Sequence, residues 1–210
     1  MTWTLNNCHY LLFPMATSNV EVYWEDHPKP IMDLGTVQWI SKQVLGMTSA
    51  IDSVHNPPSD TLLPPENQLY GRHGDLKPEN ILHYSSPKDE RGIWIIADLG
   101  LTALNSVFSR SNLSNGKVQC SPRYKPPECD LIGGKISRSY DIWTFGCVLL
   151  EMIIWALEGD EERRRFLRHL DKPYLTGSRS DKFFDIMIKA TGGHVVLVKN
   201  EVYEVNSPRT

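Results

Sequence analysis

Asp75, Lys77 and Asn80 lie close together in His73-Gly74-Asp75-Leu76-Lys77-Pro78-Glu79-Asn80, and Asp98 follows in Ile95-Ile96-Ala97-Asp98-Leu99-Gly100. A loop carboxylate can accept a hydrogen bond from a hydroxyl, and a nearby ammonium can face an anion. Asn and Asp side chains offer the hard oxygen ligands that Mg²⁺ requires. Each residue also has a plainer reading, such as an Asp that caps a turn or an Asn in an Asx-turn. Two further motifs come later in the chain, Tyr124-Lys125-Pro126-Pro127-Glu128 and Asp141-Ile142-Trp143-Thr144-Phe145-Gly146-Cys147.

The elements that must position these residues are legible in the apolar pattern. Leu34, Val37, Ile40, Val44, Met47, Ile51 and Val54 recur at steps of three and four, which predicts one amphipathic, half-buried helix. It should end near His55-Asn56-Pro57-Pro58, where the prolines forbid continuation. A polar, Pro-rich insertion from Pro57 to Gln68 reads as a surface loop. The short apolar runs Asn80 to Tyr84 and Gly92 to Ala97 flank a polar turn and predict a hairpin that holds Asp75 and Asp98 side by side. From Ile142 to Leu157 apolar residues lie on every side, the mark of a core helix buried all round. It is shorter than the ~20 residues a membrane span needs. Glu158 to Arg168 mixes both charges, so Arg163 to Arg165 read as a solvated helix face rather than a localisation signal. Val195 to Val198, then Val202 and Tyr203, have a strand-type pattern.

The four motifs, in this order and spacing, resemble those of protein kinases, and the resemblance covers Tyr10 to Leu157. It implies an α+β, protein kinase-like fold, mostly the helical C-lobe with a stub of the N-lobe. Residues 1–16 would be a remnant of N-lobe strand and hinge. The C-lobe would span 17–190, with the catalytic loop at 73–80 and the activation segment at 98–128, and 191–210 would be a divergent tail. The activity implied is transfer of the ATP γ-phosphate to a protein Ser or Thr, with ATP and Mg²⁺ as cofactors. Asp75 and Lys77 would be catalytic, and Asn80 and Asp98 would hold the metal. Pro14, Met15 and Ala16, behind Phe13 as gatekeeper, would meet the adenine edge, with Leu82 as its floor. Pro14 is compatible with that role because only its carbonyl is asked for. His73 and Leu99 would stack in the core, and Glu128 would be structural. Asp141 would hold the catalytic-loop backbone with Trp143 packed beneath, and Ser121 would contact Asp75 and Lys77 in the substrate loop.

Gly74 stands where many kinases have an Arg that collects an activation-loop phosphate, so Ser106, Ser109, Ser111 and Ser114 need not form a switch. Gly71 replaces an apolar residue. Gly71 to Asp75, together with Leu12-Phe13-Pro14, looks like the kinase-like set of filamentous fungi. Residues 1–9 contain no glycine-rich phosphate loop, strand lysine or partner glutamate. The expectation is therefore a truncated N-lobe, weak nucleotide binding, and a cleft floor around Phe13, Leu82 and Leu99 left open to water. The rival function is a catalytically inactive pseudokinase or C-lobe fragment that binds a protein partner, or itself, through that cleft.

Composition adds bounds. With 40% hydrophobic and 22% charged residues and a net charge of −3, the chain has the balance of a globular domain and no basic signature for nucleic acid or anionic lipid. Cys8, Cys120, Cys129 and Cys147 lack zinc-site spacing and disulfide density, so the expectation is an intracellular protein, cytoplasmic or nuclear, with no membrane partner.

Overall fold

In the computed structural model, residues 2–6, 8–57, 69–99, 103–106, 121–131, 133–173, 179–189 and 191–204 are described. Strands β1 (Thr2–Leu5) and β2 (Cys8–Leu11) form an antiparallel hairpin. Then β3 (Ser18–Asn19) leads directly into helix α1 (Val20–Asp26), whose first turn is closed by Asn19 Oδ1 accepting from Val22 N at 2.9 Å.

Helix α2 (Leu34–His55) is capped by Asp33, which accepts from Thr36 N at 2.7 Å, and it stops at Asn56 ahead of the prolines, as the pattern predicts. Its buried line differs from the expected one. Thr36, Trp39, Gln43, Met47, Ile51 and His55 face inward, while Leu34 is 73% and Val37 46% exposed. Polar bonding sets this rotation. Trp39 Nε1 donates to Gly92 O at 2.8 Å, and Gln43 Oε1 accepts from Trp94 N at 2.9 Å. Leaving those buried groups unpaired would cost more than exposing two aliphatic side chains near the helix start.

Strand β4 (Leu69–Arg72) enters the catalytic loop, which closes with a single helical turn at Pro78–Asn80 and runs into β5 (Ile81–Ser86). The predicted hairpin forms with β6 (Asp89–Ile96), on a tighter turn at Pro87 and Lys88, and β3 adds a third strand against β5. Strand β7 (Ala103–Ser106) pairs with β4, so the strand before the catalytic loop meets the strand after Asp98, a pairing not apparent in the sequence. Side chains beneath this sheet make an aromatic cluster: Trp39 and Trp94 have ring centroids 5.0 Å apart, with Tyr23, Trp24 and Trp155 around them. Leu76 and Ile81 are buried in the same core, which ties the middle of the 73–80 loop and the strand after it to that core.

Helix α3 (Ser139–Glu158) is the central helix, yet it is not buried all round. Ile142, Ile153 and Leu157 are 59%, 43% and 66% exposed along one line. At 20 residues it is also longer than expected, and it is long and apolar enough to cross a membrane by length and composition. Its packed faces and the buried charges Asp141 and Glu151 make it a core helix of the domain.

Helix α4 (Asp160–Leu170) overturns the reading of its arginines as a uniformly solvated face. Arg164, Arg165 and Arg168 are exposed, but Arg163 is fully buried. Its guanidinium donates to both carboxylate oxygens of Glu21 at 2.9 and 2.8 Å, to Glu151 Oε2 at 2.9 Å and to Asp160 Oδ1 at 2.8 Å, and it lies 4.8 Å from the Trp24 ring. Tyr124 O–H completes the cluster on Glu151 Oε1 at 2.7 Å. Burial pushes the Glu151 carboxyl up to about 7, against the pull of Tyr124 and Arg163.

Short strands β8 (Lys172–Pro173) and β9 (Arg179–Ser180) pair, followed by the hairpin of β10 (Phe184–Ile188) and β11 (His194–Val198). The strand reading of Val195 to Val198 therefore holds. Val202 and Tyr203 instead lie in α5 (Asn200–Glu204), and Val202 packs on the core. The expected boundary at residue 190 lies outside the described residues. Lys199 N donates to Phe183 O at 3.1 Å, which joins the end of β11 to the start of β10.

Replacing Arg163 with Ala would leave Glu151 and Asp160 buried without their cation. We expect a loss of about 3–5 kcal/mol in urea unfolding, and an unchanged midpoint would show that the cluster does not support the fold. Because Glu151 binds its proton more tightly folded than unfolded, its contribution to stability falls as pH rises from the unfolded carboxylate range near about 4.3 towards about 7. Glu151→Gln should flatten that part of the stability profile, measured by denaturation at a series of pH values.

Candidate active site

The catalytic loop is hung on a buried carboxylate. Asp141, in the first turn of α3, is fully buried and accepts from His73 N at 2.8 Å, Gly74 N at 2.9 Å and His55 Nε2 at 2.8 Å. The expected backbone-holding role of Asp141 is thus present in the geometry. His55 is a partner that sequence reasoning missed; it ends the buried line of α2, but nothing local links it to a residue 86 positions away. Trp143 is half buried and meets the Phe184 ring edge-on, at 5.6 Å between centroids.

Two glycines explain themselves here. Gly74 has φ +86, where an Arg would be strained. At Gly71, a Cβ would come 2.1 Å from Val54 O, so the backbone of α2 occupies the space where an apolar side chain would go.

His73 is buried, and its ring pairs through Nε2 with Ala97 O at 2.9 Å, joining the catalytic loop to the segment carrying Asp98. Ala97 N donates to Asn80 O at 2.9 Å on the same seam. Leu99 does not join His73 in a core. It is 57% exposed, and Asp98 before it takes the left-handed φ of +62.

Asp75, Lys77, Asn80 and Ser121 form one bonded group. Asp75 Oδ1 accepts from Ser121 N at 3.1 Å and Ser121 Oγ at 3.0 Å. Its Oδ2 lies 3.1 Å from Lys77 Nζ and accepts from Asn80 Nδ2 at 3.0 Å. Lys77 Nζ also donates to Ser121 Oγ at 2.8 Å. Burial alone would raise the Asp75 pKa; the bonds from Lys77 and Ser121 outweigh it and hold the carboxyl below the usual carboxylate range. Asn80 Nδ2 donates to Asp75 O as well, at 2.8 Å, so its amide nitrogen is committed to the loop and its oxygen is the end left for a ligand.

Among the described residues no cluster of three His, Cys, Asp or Glu could hold a metal by itself. Asn80 and Asp98 supply two hard oxygen side chains on adjacent segments. That fits Mg²⁺, which is commonly held by one or two protein ligands together with substrate phosphates.

At the expected hinge, Thr17 N bonds His83 O at 2.8 Å and β3 pairs with Leu82 and His83, which sets residues 14–19 alongside β5. Tyr84 O–H donates to Pro14 O at 3.3 Å. A carbonyl has a second lone pair, so this bond leaves Pro14 able to accept another. Met15 is 96% and Phe13 70% exposed, whereas Ala16 and Leu82 are half buried. Glu128 is half buried, and its carbonyl lies where a Cβ at Gly134 would clash at 1.8 Å, so the turn after it admits only glycine without a shift. Ser109, Ser111 and Ser114 lie outside the described residues.

Comparison with known proteins agrees with this geometry. Residues 70–176, just over half of the chain, match the protein kinase domain family. The chain is 39% identical over 93 residues to the probable serine/threonine-protein kinase fnkB of Dictyostelium discoideum, covering 42% of this chain and 16% of that protein. It is 29% identical over 152 residues to the serine/threonine-protein kinase SSN3 of Yarrowia lipolytica, covering 70% and 32%. It is 40% identical over 80 residues to cyclin-dependent kinase 2 of Caenorhabditis elegans, covering 38% and 20%. The matches span about a third or less of these relatives' lengths. With the matched segment running from β4 through the Asp75 group, Asp141 and α4, the chain belongs to the protein kinase domain family.

Proposed function

We propose that this chain carries the catalytic loop of a serine/threonine protein kinase, which transfers the γ-phosphate of Mg²⁺-ATP to a protein hydroxyl. The observation that supports it is the bonded group of Asp75, Lys77, Asn80 and Ser121, held by Asp141. Phosphoryl transfer asks the protein for positioning and charge more than for covalent chemistry. Asp75 receives the hydrogen bond of the attacking hydroxyl. Its four acceptor sites are already engaged by Ser121 N, Ser121 Oγ, Lys77 and Asn80, so a substrate hydroxyl must displace one donor. Lys77 is the donor suited to leave, since its flexible ammonium can turn from Asp75 towards the phosphate. Asn80 and Asp98 would hold Mg²⁺, which when bound offsets charge on the phosphate oxygens. Pro14, Met15 and Ala16 would present hinge backbone to the adenine above Leu82. In this reading residues 17–190 correspond to a kinase C-lobe, and the thiols of Cys8 and Cys147 suit a reducing, intracellular setting.

A second reading is supported by the exposure of Phe13, Met15 and Leu99, which gives the proposed nucleotide cleft an apolar rim. On that reading the chain acts without catalysis, as a module that binds a protein partner or a second copy of itself.

Two measurements separate the readings. Because residues 1–16 contain no glycine-rich loop or strand lysine to grip phosphates, calorimetry on the chain should give weak, Mg²⁺-dependent ATP binding that Asp98→Ala abolishes. Tight binding that survives Asp98→Ala would overturn the metal assignment. In the longest active form of the protein, Asp75→Asn should lower phosphorylation of a protein substrate by about 10²-fold or more with little change in fold. Wild-type activity in that variant would remove Asp75 from the chemistry.

A further inference from the structure

A concave pocket of about 700 Å³, with Arg123 in its wall, is not used by the assignment above. Its walls are Arg123, Arg164, Arg168 and Arg179, with Glu21, Asp171, Asp181 and Leu167. Arg123 is two residues from Ser121, whose Oγ touches Asp75, so the Cα atoms of Arg123 and Ser121 are at most about 7.6 Å apart. A polypeptide presenting a hydroxyl to Asp75 would thus have the Arg123 wall of the pocket within a few residues of its acceptor.

The charges of the pocket are unevenly spent. Glu21 gives both carboxylate oxygens to the buried Arg163. Asp181 is held by Arg123 at 3.1 Å, and Asp171 by Arg179 at 3.0 Å. Arg164 reaches the buried Asp160 at 2.9 Å. Arg168 has no ion pair among the described residues and is exposed on the same helix face. Each acid of the lining therefore has a cationic partner, and Arg168 is the lining arginine without an ion pair among the described residues. Arg163, from below, holds Glu21, Glu151 and Asp160 together in ion pairs.

We propose that this pocket receives an anionic side chain of the protein substrate, a carboxylate or a phosphorylated residue near the accepting Ser or Thr, with Arg168 as its principal contact and Arg123 and Arg179 beside it. The proposal rests on the phosphotransfer reading for its substrate and names the class that the site selects. Guanidinium groups suit either anion, because their planar fork pairs with carboxylate and phosphate oxygens alike.

The test is fluorescence anisotropy of short dye-labelled peptides with the full chain at physiological ionic strength. The central phosphoacceptor is replaced by Ala and flanked by Glu, by phosphoserine or by Lys. The Glu and phosphoserine peptides should bind about tenfold more tightly than the Lys peptide, as one or two charge-assisted bonds would give. The ratio between the first two tells which anion is preferred. Arg168→Glu should erase the preference. Arg165→Glu changes net charge equally but alters a residue outside the pocket that pairs with Glu162, and it should keep the preference. Equal binding of all peptides, no binding of any, a preference for Lys, or the same loss with Arg165→Glu would overturn the proposal. Anion preference in a chain that fails to bind Mg²⁺-ATP would keep the pocket and remove the phosphotransfer reading. Equal phosphorylation of Ser-containing Glu and Lys peptides would do the reverse.

Discussion

One buried carboxylate holds the site together. Asp141 has no contact with solvent and accepts from two consecutive backbone amides of the catalytic loop and from His55, so it joins the start of α3, the end of α2 and the exit of β4 at a single point. A buried charge without such partners would be costly, and loop amides without an acceptor would be costly too. Both needs are met only in this arrangement, which also requires the positive φ of Gly74. The position of Asp75, one residue further on, follows from it.

From that point outward the site is a chain of shared donors. His73 carries the connection to Ala97, and Asn80 backs Asp75 through its amide nitrogen while its oxygen remains for a ligand. Ser121 arrives from a distant segment and places both its N–H and its hydroxyl on Asp75. Hydrogen bonds to the ionised carboxyl favour that form, which keeps Asp75 an acceptor across the neutral pH range.

A second buried ionic group surrounds Arg163. It gathers Glu21 from α1, Glu151 from α3 and Asp160 from the first turn of α4 onto one guanidinium. Glu151 and Asp160 are thereby held in the interior, and the next turns of α4 present Arg164, Arg165 and Arg168 to solvent. One ion cluster thus joins helix α4 to α1 and α3.

The sequence alone determined what depends on near neighbours. The order of the motifs, the span of α2 between Asp33 and Asn56, the hairpin of β5 and β6, and the contact of Ser121 with Asp75 and Lys77 were all legible. Helix caps, prolines and alternating apolar residues act over a few positions, and the motif residues carry their family's arrangement with them. Only the tertiary structure decided which face of α2 turns inward, since Trp39 and Gln43 bond to Gly92 and Trp94 more than fifty residues away. It likewise decided that Leu99 points to solvent, that Val202 sits in a helix, and that one arginine of three consecutive ones is buried. Periodicity gives Arg163, Arg164 and Arg165 the same chemistry. What separates them is the meeting of Arg163 with Glu21, 142 residues earlier in the chain, and burial of that kind is a property of the packed elements rather than of any local pattern.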